Sequence, residues 1–163
     1  MTRVLAILSL CFLAGCSEVA NDGGGGIDGN AADSKYLRYG ERFGNLLMKR
    51  DFTAAYERTS SHVQQDMTFD DFVAAYDEAV KEYSEPKKIE TDINTADPEL
   101  LGDEDLGFPP SVPTNQRRAR VAVIFSTKID EQGYALAGFT CWINVIEENG
   151  QDRICTMEYV PTD

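Results

Sequence analysis

Around Pro86 the apolar residues change their spacing, and that change limits the fold more than any other feature. Before it, Phe69, Phe72, Val73, Tyr76, Val80 and Tyr83 recur every three or four residues, the period of an amphipathic helix. After it, Ile89, Thr91 and Ile93 alternate. Three runs with strand-like composition then follow, Arg118–Ile129, Tyr134–Ile146 and Asp152–Val160. The turn signals Glu131-Gln132-Gly133 and Asn149-Gly150 separate these runs. Helices first and strands second predict an α+β domain. Three N-terminal helices should pack on one face of a curved, mostly antiparallel four-stranded sheet.

The three helices are Ser34 onward, Phe52–Thr59 and the segment after Thr68. In the first, Tyr36, Tyr39, Phe43, Leu46 and Leu47 form one apolar face. Gly40 and Gly44 either weaken that helix or let another element approach closely. Asp51 is a cap for the second. Thr68 is the N-cap of the third, with Asp70 and Asp71 in its favourable first turn. Ser60–Asp66 reads as a turn or a helical stub, and Pro86 ends the last helix. Residues 94–116 form a long connection holding Pro98, Pro109, Pro110 and Pro113 with five acids.

The last hairpin can be registered from its faces. If paired residue numbers sum to 300, Phe139, Cys141, Ile143 and Val145 oppose Tyr159, Met157 and Cys155 on one apolar side. That register needs an odd-length loop at Asn149-Gly150. It also puts Cys141 and Cys155 on one face, four residues apart along the strands and too far for a disulfide. Two buried thiols are then expected, with a disulfide as the alternative. Trp142 falls on the opposite face, half exposed.

The N-terminus carries a different message. Arg3 precedes an apolar run, Val4–Leu13, that is too short to span a bilayer and fits the h-region of a signal peptide. Leu13-Ala14-Gly15-Cys16 resembles the bacterial lipobox, in which signal peptidase cuts before a cysteine that carries diacylglycerol. The resemblance implies a leader over 1–15, lipidation at Cys16, and an exported chain anchored to the cell membrane. Ser17 follows the Cys and favours the periplasmic side of the outer membrane in a Gram-negative cell. Residues 16–33 hold the lipidated Cys and a Gly/Asp-rich tether with a reach of roughly 23 Å. Residues 34–163 form the single domain.

The domain has a resemblance of its own. The segments Phe43-Gly-Asn-Leu-Leu-Met-Lys-Arg-Asp-Phe-Thr-Ala-Ala-Tyr56, Met67-Thr-Phe-Asp-Asp-Phe72 and Glu148-Asn-Gly-Gln-Asp-Arg-Ile154 resemble the NTF2-like (SnoaL-like, cystatin-like cone) domain. Asp152 stands where that family commonly has Trp. The resemblance implies a hollow between helices and sheet that Tyr36, Tyr56, Tyr76, Met157 and Tyr159, with Trp142, would either line as a ligand pocket or simply fill as core. It fixes no activity, because the family includes isomerases, dehydratases and many non-enzymes.

Charge and motif counts narrow the function. The net charge is −13, and loss of Arg3 with the leader makes it −14. Such a chain is no default partner for nucleic acid, which wants a concentrated Lys/Arg face. Arg117, Arg118 and Arg120 are the one basic cluster, and pairing with nearby acids explains it. Asp70, Asp71 and Asp77 read as capping and surface acids. Asp103-Glu104-Asp105 lacks EF-hand spacing. His62, the single histidine, reads as a surface or helix-end residue. No metal or cofactor motif is present. The expected function is a membrane-anchored, non-enzymatic envelope module binding a small apolar ligand or a protein partner. The alternatives are a pocket enzyme of isomerase or hydro-lyase type, and an assembly protein dimerising through its sheet.

Overall fold

The computed structural model describes residues 31–94 and 107–162. The leader, Cys16, the tether up to residue 30 and the acids of 97–105 lie outside the described residues. Four helices come first: α1 (Ala31–Met48), α2 (Phe52–Tyr56), α3 (Ser61–Asp66) and α4 (Phe69–Tyr83). Four strands follow: β1 (Lys88–Asn94), β2 (Arg117–Ile129), β3 (Ala135–Glu148) and β4 (Gln151–Pro161). They form one antiparallel sheet in the order β1-β2-β3-β4. The chain is therefore α+β, and its main core lies between the helices and one sheet face. Phe43, Leu47, Phe72 and Tyr76 meet Val121, Val123, Phe125, Phe139, Cys141 and Ile143 there.

Among the described residues four α-helices stand where three were expected, the additional one being the turn or helical stub over Ser60–Asp66. Ser60 is fully buried, and its side chain accepts from the Val63 amide, capping α3. One apolar residue in six, Val63, gives no period to read. The same stretch ties the helices to the sheet edge. Ser60 N donates to Ile154 O at 2.7 Å, Ile154 N donates to Arg58 O at 2.9 Å, and Thr59 bridges Ile154 in parallel. Part of the β4 edge is thereby covered.

Gly40 and Gly44 are glycines because α1 lies directly on β2. A Cβ at Gly40 would stand 2.7 Å from Val121 Cγ1, and one at Gly44 2.6 Å from Val123 Cγ1. The helix gives up intrinsic propensity for this close approach.

The start of α4 carries a complete capping box. Thr68 accepts from Asp71 N, and Asp71 accepts from Thr68 N at 3.2 Å and from the Thr68 hydroxyl at 2.6 Å. The Thr68 hydroxyl, helped by the Thr68 amide, holds the Asp71 carboxyl below its ordinary value. A depressed native value means that the stabilisation is present above the usual carboxylate range and is lost as pH falls through the native value. Thr68→Ala should cost about 1 kcal/mol at neutral pH. The difference from wild type should shrink in acid, which urea unfolding at several pH values would measure.

The β3–β4 hairpin satisfies two demands that conflict on paper. Phe139↔Pro161, Cys141↔Tyr159, Ile143↔Met157 and Asn144↔Thr156 keep the sum of 300. Nearer the turn, Val145 pairs with Ile154 and Glu148 with Gln151. The loop is thus the two residues Asn149 (φ 54°) and Gly150 (φ 75°), both left-handed as a type I′ turn requires, and not the odd-length loop expected. The register difference is absorbed by a bulge in which Cys155 is the extra residue. The bulge also corrects the placement of the thiols. Cys141 is in the main core, whereas Cys155 joins Phe108, Val112 and Ile146 in a small second cluster on the other face. Both are free and buried.

The end of the long connection builds that second cluster. Phe108 and Val112 pack on Ile146 and Cys155. Asn144 Nδ2 donates to Gly107 O at 2.9 Å, and Arg117 Nε donates to Val112 O at 3.3 Å. Residues 107–113 therefore return across the sheet face opposite the helices.

Candidate ligand cleft

The hollow implied by the family resemblance is filled by rings. Tyr76, 1 % exposed, meets Phe52, Phe125, Phe139 and Tyr159 edge-on, with centroids 5.7 to 6.4 Å apart. Tyr56 packs its edge on Phe69 and Phe72, and its hydroxyl donates to Met67 O at 2.8 Å. Tyr36 is core at the start of α1. Tyr76 and Tyr159 come together, while Tyr36 and Tyr56 stand apart from that pair among other neighbours.

The chemistry of the Tyr76–Tyr159 pair is that of neutral groups. Both hydroxyls are buried; that of Tyr76 has no hydrogen-bond partner among the described residues, and that of Tyr159 has the Cys141 thiol beside it. Burial pushes Tyr76 up to about 12 and Tyr159 well above its ordinary value. Burial also raises the Cys141 thiol, across the strand from Tyr159, to about 12, with the Tyr159 hydroxyl pulling it back slightly. Three groups that stay protonated at neutral pH make a poor general base. An isomerase-type site would need a carboxylate or His62 on a buried tyrosine hydroxyl. Tyr39 donates instead to the main-chain carbonyls of Arg58 and Asp152, and Tyr56 to that of Met67.

Met157, the fifth expected pocket residue, faces an open cleft. Its volume is about 260 Å³, and its walls are His62, Val63 and Asp66 of α3, Met67, Pro109 and Ser111 of the returning segment, and Cys155, Thr156 and Met157 of β4. Three local features place these walls. The Ser60 cap and the Thr59–Ile154 bridge set α3 against β4. The Asn144–Gly107 bond leads the returning segment in from the other side. The bulge turns Cys155 into the wall, where burial raises its thiol to about 12 and leaves it a neutral, unreactive surface.

The cleft combines an apolar set, Val63, Met67, Pro109 and Met157, with His62, Asp66, Ser111 and Thr156. That combination suits a ligand with an apolar body and one polar end. His62 is the second residue of α3 and half-buried in this wall. The sequence reading missed Val63, Met67, Pro109 and Ser111, which lie far apart in the chain and share no period. The cap signal at Ser60 and the Pro109-Pro110 pair were the signals that could have found them.

The remaining constellations serve structure. Asp77 pairs with Arg50 at 2.6 Å. Of the basic cluster, Arg118 meets Glu147 at 2.5 Å, Arg117 lies over the Phe108 ring and Arg120 over the Trp142 ring at 4.8 Å. The Arg118–Glu147 pair is the acid pairing expected of this cluster, and Arg117 and Arg120 add ring contacts to it. Trp142 is half-buried beneath Arg120, on the sheet face opposite the main core. Among the described residues no three His, Cys, Asp or Glu side chains gather as a metal site, and no helix is long and apolar enough to cross a membrane. No family model matches the chain, no curated protein matches it, and no solved structure matches it.

Proposed function

We propose that this chain is an exported, lipid-anchored envelope protein. Its NTF2-like domain holds a small, largely apolar ligand in the cleft between α3, β4 and the segment 107–113. The observation that carries the binding reading is the cleft itself, whose apolar wall at Val63, Met67, Pro109 and Met157 is joined by His62, Asp66, Ser111 and Thr156. Support for the anchor comes from the sequence Leu13-Ala14-Gly15-Cys16 behind an apolar leader. Support for the NTF2-like reading is coarser: helices precede an antiparallel sheet and pack on one face of it. A binding role is favoured over catalysis because the buried Tyr76 and Tyr159 hydroxyls stay protonated and, among the described residues, accept no hydrogen bond from and donate none to a carboxylate or His62.

The test uses N-phenyl-1-naphthylamine, a fluorescent apolar probe with a single N–H. The full chain should bind it saturably, with fluorescence rising as the probe leaves water. Ser111 is exposed, so Ser111→Trp can block the cleft without entering the core. The variant should lose most of the signal while its thermal unfolding stays unchanged. Equal binding by both proteins would remove this cleft as the ligand site. Mass spectrometry of the membrane-extracted chain would report a diacylglycerol thioether on Cys16, and Cys16→Ala should abolish that modification.

A further inference from the structure

The chain carries a net charge of −13, yet one cleft of it is cationic. Lys35, Arg38 and Arg42 stand at i, i+3 and i+7 on α1, within one narrow stripe of the helix surface. With Tyr39 and Asp152 they line a cleft of about 270 Å³ at the start of β4. Arg58 adds a fourth cation, its guanidinium over the Tyr39 ring at 5.5 Å. Asp152 is the one acid in the lining, and its largely covered carboxylate is already held by Lys35 Nζ at 2.6 Å. The lining thus holds three cations against one carboxylate, and since Lys35 already holds that carboxylate, Arg38 and Arg42 are its uncompensated charges.

Two polar groups of the cleft are held in place and a third is left with open donors. Tyr39 is fixed from two sides, its hydroxyl on the carbonyls of Arg58 at 3.2 Å and Asp152 at 3.0 Å. Arg38 is braced by Ser34 O at 3.1 Å, which uses part of its guanidinium. Arg42, one turn further on, makes no hydrogen bond or ion pair with the described residues and is exposed. Two planar forks one helical turn apart can grip the oxygens of one tetrahedral anion, each bidentate. The cleft is larger than such an anion, so it also has room for an organic group that carries it.

We propose that Lys35, Arg38 and Arg42, over the Tyr39 floor, form a binding site for a phosphate group. Both a soluble phosphomonoester and a phospholipid headgroup present that chemistry. This site is separate from the α3–β4 cleft and stands whether or not that cleft binds an apolar ligand.

Calorimetric titration of the full chain separates the sources. Glycerol 3-phosphate represents the soluble monoester, and dihexanoyl phosphatidylglycerol below its micellar concentration represents the headgroup. Wild type should bind at least one of them saturably. Tighter binding of the first assigns a soluble ligand, and tighter binding of the second a lipid. Arg38→Glu/Arg42→Glu should weaken binding by about tenfold or more, as loss of two charge-assisted contacts requires. Lys49→Glu/Lys81→Glu makes the same charge change at exposed positions elsewhere and should leave binding unaltered. Arg42→Gln, which removes no contact within the described chain, keeps the site testable if the double variant fails to fold, and should weaken binding severalfold. Absence of saturable binding to either probe would overturn the proposal. So would an equal loss in both charge-reversed variants, because the effect would then be net charge and not a site.

Discussion

Phe139→Ala should destabilise the domain by about 3–5 kcal/mol, the range for emptying a fully buried aromatic position. Phe139 is the hub of the ring cluster. It stacks on Phe125 at 4.8 Å with the planes 16° apart, and on Tyr83 at 5.7 Å. It also meets the rings of Tyr76 at 6.4 Å and Tyr159 at 6.0 Å. Its removal deprives helix α4 and strands β2 and β4 of their common partner at once, so little collapse can refill the space. Urea unfolding should show a lower midpoint with an unchanged slope. Phe69 makes the useful contrast: it is 40 % exposed, and Phe69→Ala should cost far less. Similar losses at the two positions would mean that the ring cluster is not the packed centre of the fold.

The same cluster explains which parts of the molecule were legible in the sequence. Helix α4 was readable because three signals agree on it: the apolar stripe from Phe69 to Tyr83, the Thr68 cap and the Pro86 stop. The strands were readable within a residue or two from alternation and the two turn signals. Helix α3 was legible only as a turn or a helical stub, because six residues with one buried apolar side chain carry no period, and what holds it is a cap and a single parallel bridge to Ile154. The hairpin shows a subtler limit. Facial matching demands one register and Asn149-Gly150 demands another, and a pairing rule with a fixed sum can honour only one of them. The chain honours both by bulging at Cys155, and so sends that thiol to the opposite side of the sheet.

The candidate sites follow the same logic. Aromatics at helical spacing could be read as lining or as filling, and only the packing decides between the two; here Tyr76 fills. The α3–β4 cleft was invisible because its walls come from residues 62–67, 109–111 and 155–157, brought together by the bridge, the bulge and the returning segment. The cationic stripe at Lys35, Arg38 and Arg42 was present in the sequence as spacing. What turns it into a cleft is Asp152, which lies 110 residues beyond Arg42 and is brought beside it by the sheet.

Gly138→Ala should cost about 3 kcal/mol or more, at the upper end for forced overpacking. A Cβ there would lie 2.1 Å from the carbonyl oxygen of Phe125 and 3.1 Å from its carbon, atoms of the neighbouring strand that no rotamer change can move. Gly138 pairs with Ser126 immediately beside the irregularity between Ser126 and Lys128, so β2 and β3 would have to part where their ladder is already interrupted. The other glycines grade the effect. At Gly44 the clash is with Cγ1 of Val123 at 2.6 Å, a buried and β-branched side chain that yields only by shifting α1 off the strand, and the about 1 kcal/mol of helix propensity that alanine returns offsets part of that cost. At Gly150 no atom lies within 4 Å, and the cost reduces to a left-handed φ of 75°, about 1–2 kcal/mol. Thermal unfolding of the three alanine variants should therefore place Gly138→Ala lowest by a clear margin. A Gly138→Ala protein as stable as wild type would show that Ser126 and Gly138 do not face one another across the β2–β3 ladder. In that case the register carrying Phe125 onto Phe139 would be wrong, and the ring cluster built on it would fall too.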